Sequence, residues 1–154
     1  SQLQNDKQII EKISTAKKSH IEPLTALVYE SKSPIYLAKR LHLNQQQKEI
    51  IEGACRLNKY LKNIKANQLY KSWPPSKWTI ILEEFNANES SFILEICKEN
   101  PLKNYLKSWL FNWKNIESPI KGDDLIAKGW EPGPEIGIEI KRQRMKLIDE
   151  NIAF

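Results

Sequence analysis

Apolar residues recur along the chain at three- and four-residue steps, the period of helices that bury one face. Ile9, Ile10, Ile13 and Ala16 mark a first helix, and Glu22-Pro23 opens a second with Leu24, Leu27 and Val28 as its apolar side. Ser33-Pro34 reads as an N-cap followed by proline at the first helical position. It leads into a short buried helix carrying Ile35, Leu37, Ala38, Leu41 and Leu43. Asn44 then caps the longest helix, in which Ile50, Ile51, Ala54, Leu57, Leu61 and Ile64 form one stripe. Pro74-Pro75-Ser76 is the clearest break. A residue before proline is pushed out of helical torsions, so Trp73 belongs at or beyond a helix end. The helical period resumes over 77–86 with Trp78, Ile81, Leu82 and Phe85, again at Phe92, Ile93 and Ile96, and again after Asn100-Pro101 with Leu102, Tyr105, Leu106, Trp109, Leu110 and Trp113 inward. A last helix starts near residue 135. Strand alternation and Asn-Gly or Asp-Gly hairpin turns are missing. About eight helices without a fixed repeat predict an all-α fold, an irregular bundle ending in a C-terminal helical hairpin.

Composition narrows this further. The 154 residues are 40% hydrophobic and 28% charged, with mean hydropathy −0.57, which suits one soluble globular domain. No apolar run is long enough for a membrane span and no signal peptide opens the chain. Cys55 and Cys97 have no metal-ligand spacing and cannot make a disulfide scaffold, so a reducing cytoplasm is expected, with both thiols buried. The net charge of +5 and pI near 9.1 are weak evidence for a nucleic-acid partner. The chain holds 20 Lys, 20 Ile and 12 Asn, an enrichment that an AT-rich genome produces by itself. The distribution is more informative: residues 1–77 carry a net +8 and residues 78–154 a net −3. The front half is the better partner for a polyanion.

The tail carries the densest pattern. Asp123 can accept from the free amides of a short helix over Leu125–Lys128. Gly129 suits the left-handed position that ends it, with Trp130 folding back. Gly133 permits close backbone approach, Pro134 occupies a first helical turn, and Gly137 removes a Cβ where another helix could press close. The second helix of such a hairpin presents free amides to which a phosphate could dock, although Glu131 and Glu135 oppose an anion. Turns of this composition are also commonly just turns.

The run from Pro119 to Gly137 resembles a C-terminal signature of bacterial class II tRNA nucleotidyltransferases, the CCA-adding enzymes and their poly(A) polymerase relatives. The family pattern is Gly-any-Asp-Leu, then Gly, then Pro-Gly-Pro-any-aliphatic-Gly. This chain meets it at Gly122, Asp124, Leu125, Gly129, Pro132, Gly133, Pro134, Ile136 and Gly137. The resemblance is dense over about 20 residues and loose elsewhere. It implies an all-helical body and tail that hold the acceptor stem and T arm of tRNA. Residues 1–73 would be a basic, body-like segment and 76–154 the tail-like segment, standing apart or packed as a single domain. Catalysis would belong to an N-terminal head using Mg and CTP or ATP, whose paired aspartates and Gly-Ser element do not occur in this chain. Neither does the neck's Glu-Asp-any-any-Arg pattern. Asp123-Asp124 does not replace the paired aspartates, because adjacent residues point in different directions. No catalytic residue and no cofactor are therefore expected here. Ser1 in place of an initiator Met agrees with a piece of a longer enzyme.

Duplex RNA is read through phosphates and 2′-hydroxyls. Arg56, Lys59, Lys62 and Lys65 on the long helix, and Lys141, Arg142, Arg144 and Lys146 on the last, are the candidate RNA contacts. The bland alternatives are a solvated lysine face on the former and pairing with Glu139 and Asp149 on the latter. Trp109 and Trp113 belong to the core, and Trp73 is either a packed loop anchor or a stacking platform. His20 and His42 are isolated, which suits surface or helix-end positions, and no metal site is expected. The leading expectation is a noncatalytic tRNA-holding region. Its rivals are a helical protein–protein interaction or dimerisation module and a helical-hairpin DNA binder.

Overall fold

The computed structural model describes residues 23–96 and 102–151. The stretch expected to form a first helix over Ile9–Ala16, the Asn100-Pro101 start, His20 and Cys97 all lie outside the described residues. Among the described residues eight α-helices run in order: α1 (Pro23–Tyr29), α2 (Pro34–Arg40), α3 (Gln45–Asn67), α4 (Pro75–Leu82), α5 (Ala87–Ile96), α6 (Lys103–Phe111), α7 (Gly122–Ala127) and α8 (Pro134–Glu150). Short 3₁₀ turns at Leu69–Ser72 and Trp113–Asn115 follow α3 and α6. The described residues include no strand, and the fold is the all-α irregular bundle that the helical period predicts.

The centre is α3, which packs against α1, α2 and α5. Its start is set by a reciprocal cap: the Gln47 amide donates to Asn44 Oδ1 at 2.8 Å, and the Asn44 amide donates to Gln47 Oε1 at 3.0 Å. Its end is set by Gln68, whose φ of 54° turns the chain out of the helix. Between them Ile51, Ala54, Leu57, Leu61 and Ile64 are buried, as the stripe predicts. Burying each of the larger ones contributes about 1.5–3 kcal/mol.

The core runs on through α5 to α6, from α6 to α4, and from α4 to α8. One hydrophobic cluster gathers Ala26 and Leu57 from the first half of the chain with Trp78, Leu106, Trp109 and Ile148 from the second. Trp78 stacks on Tyr105 with ring centroids 4.6 Å apart and planes 16° from parallel. Tyr70 and Trp73 close in at 6.4 and 5.2 Å, making an aromatic knot between α4, α6 and the first 3₁₀ turn. Such pairs contribute about 0.5–1.5 kcal/mol beyond the area they bury.

Two faces differ from expectation. In α1 the buried side chains are Thr25, Ala26, Val28 and Tyr29, while Leu24 and Leu27 are exposed. In α2 Ala38 is buried and Leu37 half-buried, Leu43 just beyond it is buried, and Ile35 and Leu41 face outward. Each of these helices has only seven residues, about two turns. Over so short a span several apolar stripes are compatible with one pattern, and the neighbours decide which is buried.

Candidate nucleic-acid interface

The signature segment forms two helices and a tight turn. The first, α7, begins at Gly122, earlier than Asp123 capping would require. The capping carboxylate is Asp124, whose Oδ2 accepts from the Lys121 amide at 2.8 Å. The Asp123 role is thus corrected: both aspartates lie in the first turn, but only the third helical position reaches back to the N-cap amide. Gly129 has φ 95°, the left-handed stop expected of it. The Trp130 amide then donates back to the Leu125 carbonyl at 3.1 Å, closing the end of α7. Leu125 is buried, and a Cβ on Gly122 would sit in ordinary contact with Ile136 of α8 at 3.5 Å.

Two other glycines do less than their positions suggest. Gly133 has φ 172°, extended backbone open to any residue, and a Cβ there would meet the flexible Glu135 carboxylate at 3.0 Å. Gly137 has nothing within 4 Å of a would-be Cβ, so no helix presses against it. The first turns of α8 are held by α7, whereas the last turns reach the core through Met145 and Ile148. Between these ends Ile138 is exposed. A shallow recess at the α7–α8 turn is lined by Lys128, Gly129, Trp130, Glu131 and Glu135. Its two carboxylates oppose docking of a phosphate on the α8 amides, which leaves the flanking cations as the places for an anion.

The four candidate cations of α8 have divided roles. Arg144 is a brace: its Nε donates to the Ile116 carbonyl at 2.7 Å, Nη2 reaches the Lys114 carbonyl at 3.4 Å, and the guanidinium pairs with Glu83 at 2.7 Å. That fork is spent on α4 and the loop before α7, so an RNA contact is not its place. Arg142 holds Glu139 through two bonds of 2.8 and 2.7 Å while staying mostly exposed. The Arg142 bond, joined by one from Gln143, holds the Glu139 carboxyl down at about 2, and in return Glu139 raises the Arg142 guanidinium further. Lys146 lies 3.8 Å from Glu150, and Lys141 is exposed. Asp149, expected to pair with an arginine, instead accepts from both the amide and the hydroxyl of Ser76 at 2.8 Å. It thereby caps α4 from a helix distant in sequence. Sequence reading misses this, because a cap is normally sought within three residues.

On α3, Arg56, Lys59, Lys62 and Lys65 are all exposed, opposite the buried stripe. Lys59 and Lys62 share a recess with Asn58 and Cys55, closed across the way by Tyr29, Glu30 and Pro34 from the end of α1 and the start of α2. Cys55 is only half-buried, and burial first, then nearby Glu52, pushes its thiol up. Trp73 is the packed anchor: it is half-buried against Trp78, with the Lys77 ammonium 4.3 Å above its ring. His42 is exposed, with φ 51° at the end of α2. Among the described residues no three His, Cys, Asp or Glu side chains gather as metal ligands would, and no helix is long and apolar enough to cross a membrane.

Comparison with known proteins finds no matching family model, no significant curated relative and no significant solved structure. Any functional assignment therefore rests on the residues and their geometry.

Proposed function

We propose that this chain is the noncatalytic, tRNA-holding region of a tRNA nucleotidyltransferase or poly(A) polymerase-like enzyme, with nucleotide addition carried out by an N-terminal head. The observation that carries the reading is the signature from Gly122 to Gly137, folded as a helical hairpin and offset from the core by α8. Further support comes from the exposed cations of α3 and from Lys141 on α8. The partner is structured RNA, gripped through phosphates, and no catalytic group is assigned to this chain. Binding to a tRNA-like hairpin is expected to be weak and to fall linearly on a log–log plot against salt, each phosphate contact contributing about 0.7–0.9 of slope. Fluorescence anisotropy titration tests this, and equal affinity for RNA and for an uncharged polymer would end the RNA reading.

A second reading, a dimerisation module, is favoured by the exposed Leu24, Leu27, Ile35, Tyr36 and Leu41 of α1, α2 and the turn after them. Exposed apolar patches of this kind mark contact surfaces when they are contiguous. Sedimentation separates the two: a tight dimer that ignores RNA supports the second.

A further inference from the structure

We propose that the recess between the α1–α2 turn and α3 is a site for one ribose–phosphate unit of RNA, and that it is where the chain distinguishes RNA from DNA. The inference rests on the RNA-holding reading above and names the part of the surface that makes the selective contact. Lys59 and Lys62 are one helical turn apart on α3 and line the same concavity, so two ammonium groups can bracket one phosphate. Asn58 lies beside them, half-buried, with an amide that both donates and accepts. The opposite wall, from Tyr29 and Pro34, with Cys55 on the α3 side, is largely apolar and suits the face of a sugar. Tyr29 is itself buried, so it is a floor and not a stacking platform.

A phosphate placed between the lysines brings its own ribose to the Asn58 side. The 2′-hydroxyl can then make one hydrogen bond with the amide, donating to its oxygen or accepting from its nitrogen, which a deoxyribose cannot do. Among the described residues that line it, Glu30 is the one carboxylate on the rim. The described lining thus sets two lysines against one carboxylate, which favours a single phosphate.

Cys55 is a built-in reporter, because a ligand in the recess covers the thiol. The experiment measures alkylation of Cys55 by iodoacetamide, resolved from Cys97 by peptide mass spectrometry. The full chain is used alone, with a tRNA-like RNA hairpin, with the DNA hairpin of the same sequence, and with inorganic phosphate. RNA is expected to slow Cys55 alkylation several-fold, with DNA and inorganic phosphate giving little protection. The K59Q/K62Q double variant should lose the protection and about one unit of salt slope. Asn58→Ala should lower the RNA-over-DNA affinity ratio about fivefold, the worth of one neutral hydrogen bond, with its melting temperature unchanged. RNA binding with undiminished Cys55 reactivity, or with K59Q/K62Q keeping the wild-type slope, overturns the site while leaving the RNA-holding reading in place. Equal protection by inorganic phosphate overturns it in favour of a simple anion pocket. No RNA binding by the wild-type chain brings down both.

Discussion

Arg144 offers the sharpest test of how the tail is mounted. Its side chain is mostly buried and joins α8 to α4 through Glu83 and to the loop before α7 through the Ile116 and Lys114 carbonyls. Arg144→Met keeps most of the apolar stem and removes the fork. The 2.7 Å bond to the Ile116 carbonyl is charge-assisted and contributes about 1.5–3 kcal/mol. The Glu83 pair is worth less, about 0.5–1 kcal/mol, since Glu83 is 37% exposed and water screens it. The 3.4 Å contact to Lys114 adds little at that length. The loss should be about 2–4 kcal/mol, which for a chain of this size lowers the melting temperature by roughly 4–16 °C. Urea and thermal melts followed by tryptophan fluorescence measure it, and a double-mutant cycle with Glu83→Gln isolates the ion pair at about 0.5–1 kcal/mol. A melt within about 0.5 kcal/mol of wild type, or a loss reproduced in full by Glu83→Gln alone, would refute the assignment of the carbonyl bond as the main tie.

Asp149→Ala leaves the Ser76 amide and hydroxyl without their acceptor and should cost about 1–2 kcal/mol in a chemical melt, with Asp149→Asn recovering part of it. Two glycines in the same motif should respond with opposite signs. Gly129→Ala strains a residue at φ 95° and should open the α7 end by about 1–2 kcal/mol in hydrogen exchange, whereas Gly137→Ala, in open space within α8, should protect that helix by about 0.5–1 kcal/mol. Glu139 is held at about 2 in the folded chain against an ordinary 4.5, so its contribution to α8 is complete above pH 4.5 and lost as the pH falls toward 2. Backbone NMR of α8 should follow that window, and high salt should flatten it. If RNA engages α8, Glu139→Gln should release Arg142 and strengthen RNA binding at low salt, as read by anisotropy.

The sequence alone determined what depends on neighbours a few residues apart. Asn44 and Gln47, one turn from each other, specify the start of α3, and the stripe from Ile51 to Ile64 specifies its buried side. Gly129 specifies the stop of α7, because glycine bears a left-handed torsion at least cost. Trp73 likewise sits beyond a helix end, as a residue before proline must. The tertiary structure decided whatever depends on a partner far along the chain. Which faces of the two-turn helices α1 and α2 are buried follows from where α3 lies, since so short a stripe fits several orientations. Arg144 reads as one more cation until Glu83 and the Ile116 carbonyl arrive beside it, and Asp149 becomes a cap only when α8 crosses the start of α4. The recess at Lys59 and Lys62 exists because the α1–α2 turn closes over one side of α3. A helix has a face in isolation, but a concavity needs two elements, and their approach is set by the whole core.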